Sequence, residues 1–152
     1  MNVSLFSKNM VLLYLTMNKL LGTITTIQQS GVILLVDADV NGQVFSALLI
    51  ESTSRPEWLQ IGNTVDLVFK ETEVSLAKNL SGQISLCNRM SCLILKIEKG
   101  ELLCRVFLKF QDYTLLSAIT TRSVDSLNLN IGDEVEALVK ANEVSLMKSR
   151  TQ

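Results

Sequence analysis

The sequence predicts an all-β protein made of two tandem, small five-stranded barrels, each with a short helical turn. Three observations predict it. An eighteen-residue phrase occurs twice, at 61–78 (IGNTVDLVFKETEVSLAK) and at 131–148 (IGDEVEALVKANEVSLMK), with 70 positions between copies and nine identities. A period of this length marks a repeated structural unit. From Asn18 onward, short runs rich in Ile, Val, Leu and Thr alternate with turn signals, as strands do. No segment sustains a helical period.

The elements follow in order. Lys19–Gln28 and Val32–Val40 read as the first two strands. Asn41-Gly42 then forms a two-residue hairpin turn, because both residues tolerate positive φ, and Gln43–Ile50 returns as the third strand. Ser54–Leu59, with the only proline of the chain (Pro56), reads as a single helical turn. Ile61-Gly62-Asn63 turns the chain into Thr64–Phe69 and Glu73–Leu76, the fourth and fifth strands. The second half repeats this order. Met90–Glu98, Leu102–Phe110 and Tyr113–Thr121 are strands, Arg122–Leu127 is the helical turn, and Glu134–Val139 and Glu143–Leu146 complete the set. Asn18 aligns with Asn88 at the common spacing, and Ser46-Ala47 with Ser117-Ala118 after a one-residue slip.

Five short strands and one helical turn in about 65 residues suit a small Greek-key barrel of the OB type. The expected division is an N-terminal extension at 1–17, a first barrel at 18–78, a linker at 79–83 with Ser81-Gly82 as its turn, and a second barrel at 84–152.

Composition narrows the function. Hydrophobic content of 47% with 19% charged residues describes a globular chain. A net charge of −1 and 5% aromatic residues offer neither the basic groove nor the stacking platforms of a nucleic-acid-binding OB module. Histidine is absent, which removes His-based acid–base and nucleophile chemistry and most transition-metal sites. No G-x-x-x-x-G-K-[ST] loop is present, and Glu73 and Glu143 recur at equivalent repeat positions, as duplication requires and an acid–base pair does not. The reading is therefore non-enzymatic. Cys87, Cys92 and Cys104 are an odd number without metal-ligand spacing, which fits a reducing cytoplasm. Met10–Leu15 is apolar but far shorter than a bilayer span of about 20 residues, so no membrane partner is expected.

Three segments carry a family resemblance. Ile84-Ser85-Leu86-Cys87-Asn88 resembles the I-S-A-R-N opening of the molybdate-binding Mop domains, which are related to TOBE domains. Ser117–Val124 resembles their A-V/I-T-x-x-S-V segment. Leu129–Ala141 is similar to their L-x-V-G-D-E-V-x-A-L-I-K-A stretch, and this is the most specific of the three. The resemblance covers 84–148 well and 18–78 more loosely.

What the resemblance implies is an intracellular protein that binds molybdate, with tungstate as an alternative, for storage or homeostasis. The implied binding residues are Ser85, Cys87, Asn88, Thr120, Ser123, Lys140 and Ala141. The chemistry is consistent with this. Molybdate is a tetrahedral dianion that takes hydrogen bonds on several sides, and amides, hydroxyls and a lysine supply them. Cys87 departs from the family pattern, since it stands at the arginine position and is a weak donor. Each residue also has an ordinary reading: Thr120 and Ser123 as helix caps, Asn88 as a turn residue, Lys140 as a solvated strand-end lysine.

The first repeat departs further. Leu49 stands for Thr120, Leu15 for Ser85 and Glu71 for Ala141, while Lys70 and Ser52 remain. Its own site reads as degraded. Complete sites are then expected where second repeats of two chains meet, in a homo-oligomer. The runner-up is a molybdate-sensing module acting in trans on a transport ATPase or a transcription regulator, and the distant alternative is the nucleic-acid-binding module.

Overall fold

Alternation of buried and exposed residues builds the sheets. The structure, a computed structural model, describes residues 17–50 and 55–150. Among the described residues there are ten strands: β1 (Asn18–Ser30), β2 (Ile33–Val40), β3 (Gln43–Ile50), β4 (Thr64–Phe69), β5 (Ser75–Ala77), β6 (Asn88–Lys99), β7 (Leu103–Phe110), β8 (Tyr113–Thr120), β9 (Glu134–Val139) and β10 (Ser145–Lys148). A helix, α1 (Thr121–Ser126), follows β8, and 3-10 turns at Glu71–Glu73 and Ala141–Glu143 precede β5 and β10. Along β2 every second residue, from Leu34 to Val40, is buried, and β7 repeats the pattern from Cys104 to Phe110.

Each sheet has five strands, ordered β10-β4-β1-β2-β3 and β5-β9-β6-β7-β8. β10 also approaches β3, and β5 approaches β8, so both sheets curl toward closure as OB-like barrels. Leu20, Ile24, Leu34, Val36, Phe45 and Leu67 fill the first core; Met90, Ile94, Val106, Leu108, Leu115 and Ala137 fill the second.

The last strand of each repeat serves the other repeat's sheet. β10 pairs antiparallel with β4, Leu146 opposite Leu67, and β5 lies beside β9. The compact units accordingly interleave the chain. The first unit holds 19–69, 81–89 and 138–150; the second holds 17–18, 70–80 and 90–137. The spans 18–78 and 84–152 are repeats of sequence, and the units are drawn across them.

Hydrogen bonds repeat at the same spacing of 70. In the first unit Ile24 donates its N–H to Asn63 O (2.9 Å) and accepts from Gly62 N (2.8 Å). In the second, Ile94 does the same with Asp133 O (2.9 Å) and Gly132 N (2.8 Å). Gly62 and Gly132 have φ of 94° and 92°, a conformation open to glycine, which is why Ile-Gly survives in both copies of the phrase.

The third strands also superpose at 70, without the expected slip. Ile33 faces Ile50 and Leu103 faces Thr120, because both hairpins close with two-residue loops, Val40 opposite Gln43 and Phe110 opposite Tyr113. Ser46 is thus the counterpart of Leu116, and Ile50, rather than Leu49, is the counterpart of Thr120.

The helical turn expected at Arg122–Leu127 is α1, one residue earlier. In the first repeat the described part of Ser54–Leu59 is a turn, with Leu59 N donating to Pro56 O at 3.1 Å. Residues 1–16, including Leu15 and the apolar stretch Met10–Leu15, and Ser52 lie outside the described residues.

Candidate functional site

In the first unit the segment Ser85–Asn88 leads into β6. Ser85 and Cys87 are exposed, and Asn88 is buried (1% exposed). Asn88 is held on β3: its Oδ1 accepts from Ser46 N at 2.8 Å, and its Nδ2 donates to Ser46 O at 2.9 Å. Ser46 in turn donates its hydroxyl to Asp37 Oδ1 at 2.7 Å. An amide paired with both backbone groups of one residue acts as an extra rung of the sheet. Asn88 therefore positions the Ser85–Cys87 backbone, with most of its own hydrogen-bonding capacity already used.

The same strand carries the other half of the group. The 3-10 turn Ala141–Glu143 lies against β3. Lys140 precedes it in extended conformation (φ −69°, ψ 146°) with its side chain exposed. The first amides of such a turn have no acceptor within it, and Ala141 adds only a methyl group in front of them. Ser85, Cys87, Asn88, Lys140 and Ala141 thus belong to one unit, organised on β3.

Thr120 and Ser123 belong to the second unit. Thr120 is the N-cap of α1, its Oγ1 accepting from Ser123 N at 3.1 Å while its hydroxyl donates to Ser123 Oγ at 2.9 Å. Ser123 Oγ ends this relay with its own proton available to donate. Arg122, exposed, shares a shallow depression with Thr120, Leu102 and two carboxylates, Glu101 and Asp125. Lys99 donates to Asp125 at 2.6 Å, and that hydrogen bond is the main reason the Lys99 pKa is raised.

The second unit has its own counterpart of the β3 arrangement. Asn18 bonds Leu116 on β8, donating to its carbonyl and accepting from its N–H, both at 2.8 Å. The 3-10 turn Glu71–Glu73 lies against β8, and Ser117 donates its hydroxyl to Val74 O at 2.7 Å. Glu71 is buried and paired with Arg105, at 3.3 Å (Oε1–Nε) and 3.2 Å (Oε2–Nη2). Glu71, which stands in place of Ala141, thus has a counter-ion in Arg105. Sequence reasoning missed Arg105, although one signal was available: positions 35 and 105 differ between repeats as Leu and Arg, alongside Ala141 and Glu71.

Among the described residues no group of three or more His, Cys, Asp or Glu is placed to hold a metal ion.

Residues 85–146 match the TOBE domain model. A solved structure of the cytoplasmic molybdate-binding protein ModG, with molybdate bound, superposes with a TM-score of 0.82 at 27% identity, over 87% of this chain and 96% of that one. Residues 85–146 thus read as a TOBE domain, and the fold is that of ModG. Among curated relatives, the molybdenum import ATP-binding proteins ModC of Brucella abortus and Brucella suis are 41% identical over 81 residues, 53% of this chain. Those residues are 23% of the length of each ModC, so the likeness to them is a likeness to one domain. The TOBE match covers the second sequence repeat, whereas the likeness to ModG extends over both.

Proposed function

We propose that the protein binds molybdate, and tungstate by the same chemistry, as a hydrogen-bonded dianion for storage or homeostasis in the cytoplasm. The observation that carries this is the superposition of both barrels on molybdate-loaded ModG, at a TM-score of 0.82. The donor chemistry supports it. Lys140 supplies an exposed cation and Ala141 unobstructed amides on the first unit, while Thr120 and Ser123 supply hydroxyls on the second. Ser85 and Cys87 offer donors on the segment that Asn88 fixes. We propose further that the protein is a homo-oligomer in which neighbouring copies complete the donor set, and that it catalyses no reaction.

Equilibrium dialysis with radiolabelled molybdate tests the reading. Saturable uptake displaced by tungstate and not by equimolar sulfate is expected. Absence of saturable uptake, or equal displacement by sulfate, overturns it.

A further inference from the structure

The second unit contains an ion pair between a buried carboxylate and a part-exposed guanidinium, and both positions are uncharged in the first. Glu71 has a side chain only 5% exposed and engages Arg105 through both carboxylate oxygens, at 3.2–3.3 Å. Arg105 lies in the middle of β7, opposite Ala118 on β8 and Glu98 on β6. Its side chain is 34% exposed, its Nη1 stands 3.6 Å from Glu98 Oε2, and its guanidinium lies 5.7 Å from the Phe107 ring centroid. Seventy residues away, Leu35 takes the place of Arg105 and Ala141 that of Glu71.

The first unit closes the same sheet around Leu35 and Ala141, so the barrel does not require the pair. Such a pair gives little net stability over apolar residues of similar volume, because the Glu71 carboxylate loses its hydration while Arg105 stays partly in water. Both charges are present in the second unit and both are absent from the first. Thr120 lies two residues beyond Ala118 on β8, on the same face of that strand as the residue opposite Arg105.

We infer that the second unit holds a latent oxyanion site in which the Glu71 carboxylate, tethered by its own chain, occupies the seat on Arg105 that a free tetrahedral oxyanion would take. This rests on the oxyanion-binding reading above and adds a site to it. Glu71 then sets capacity: it satisfies Arg105 from within and keeps the dianion off this unit.

The test compares the full-length protein with E71A, E71Q and the double variant E71A/R105L, which installs the first unit's residues. Equilibrium dialysis with radiolabelled molybdate reads the number bound per chain, and circular dichroism confirms folding. One additional molybdate per chain in E71A, and none in E71A/R105L, is expected. E71Q removes the charge in nearly the same volume and serves if E71A does not fold; it is expected to gain in the same direction. Unchanged stoichiometry in a folded single variant overturns the inference, as does an equal gain in the double variant. If the unsubstituted protein binds nothing and E71A binds one, the inference stands and the function proposed above fails. If none binds, both fail.

Discussion

Asn88 and Ser46 form a closed pair: the asparagine amide accepts from Ser46 N at 2.8 Å and donates to Ser46 O at 2.9 Å, with Asn88 only 1% exposed. Asn18 makes the same pair with Leu116 in the other unit. An asparagine used this way fixes where a strand begins, and the two pairs set the entry to β6 and β1.

Replacing Asn88 by alanine removes both bonds and leaves the Ser46 amide and carbonyl in part-buried surroundings. The expected cost is about 1–3 kcal/mol, the usual penalty for a buried polar group left without a partner. Asn18→Ala should cost a similar amount, and both are read as shifts in the urea midpoint at unchanged slope. An Asn88→Ala protein as stable as the parent would remove the structural role assigned to this side chain.

Much of this architecture is legible in the chain. The phrase at 61–78 and 131–148 gives the duplication, the two-residue hairpins give the pairing of β2 with β3 and β7 with β8, and apolar alternation gives the cores. The exchange of β5 and β10 is not legible, for a physical reason. Both strands open on Ser-Leu after the same valine, and β4 and β9 sit in matching copies of the phrase, so either barrel accepts either strand by pattern alone. Candidate residues can be named from the sequence, but not how the fold distributes them. Sequence placed Thr120 with Lys140 in one repeat, whereas the exchange carries Lys140-Ala141 onto the first unit and leaves Thr120 and Ser123 on the second.

The exchange predicts where a strand-breaking substitution acts. Leu146→Pro removes an amide donor from β10, which pairs with β4, while Leu76→Pro does so in β5, beside β9. Amide hydrogen exchange should accelerate at Thr64–Phe69 in the first variant and at Glu134–Val139 in the second. The opposite assignment would show that each repeat closes its own barrel.

The three cysteines should separate by reactivity. Cys87 is exposed, whereas Cys92 and Cys104 are buried, and burial pushes the Cys92 pKa up to about 11. At pH 8, iodoacetamide is expected to label Cys87 in the native protein and the other two only after unfolding, because the thiolate is the reactive form. The raised pKa also has a consequence for stability. An unfolded thiol ionises near 9.0 and the folded one near 11, so the Cys92 contribution is intact below about 9 and falls as pH rises toward 11. Cys92→Ala should flatten that part of the profile, measured as the urea midpoint between pH 8 and pH 11.

Asp133 works in the opposite direction. Hydrogen bonds from Lys78 Nζ (3.0 Å) and from Asn130 N (2.9 Å) hold its carboxyl below the usual range, with the Lys78 bond the larger cause. A carboxyl with a depressed folded pKa stabilises above the unfolded value, near 3.8, and that contribution is lost as pH falls through the folded one. Asp133→Asn should therefore lower stability at neutral pH and leave it unchanged at strongly acidic pH. A constant difference across the acid limb would show that the side chain acts by shape rather than by charge.

Lys140 and Lys70 allow a direct test of which lysine meets the ligand. Both precede a 3-10 turn in nearly the same extended conformation (ψ 146° for each), and both are exposed. Local geometry does not separate them; their neighbours do. Lys140 leads into Ala141, in the turn that lies against the strand bonded by Asn88, and Lys70 leads into Glu71, already engaged by Arg105. If the oxyanion sits at Lys140, Lys140→Ala should weaken molybdate binding about ten- to a hundredfold, corresponding to about 1.5–3 kcal/mol for a hydrogen bond to a charged group. Lys70→Ala should change it by less than about threefold, since no ligand contact is lost and only a screened surface charge is removed. Lys140→Arg keeps the charge and should restore part of the affinity. Isothermal titration of the three variants at one ionic strength reads all of these, and equal losses for Lys70→Ala and Lys140→Ala would place the ligand symmetrically on both repeats.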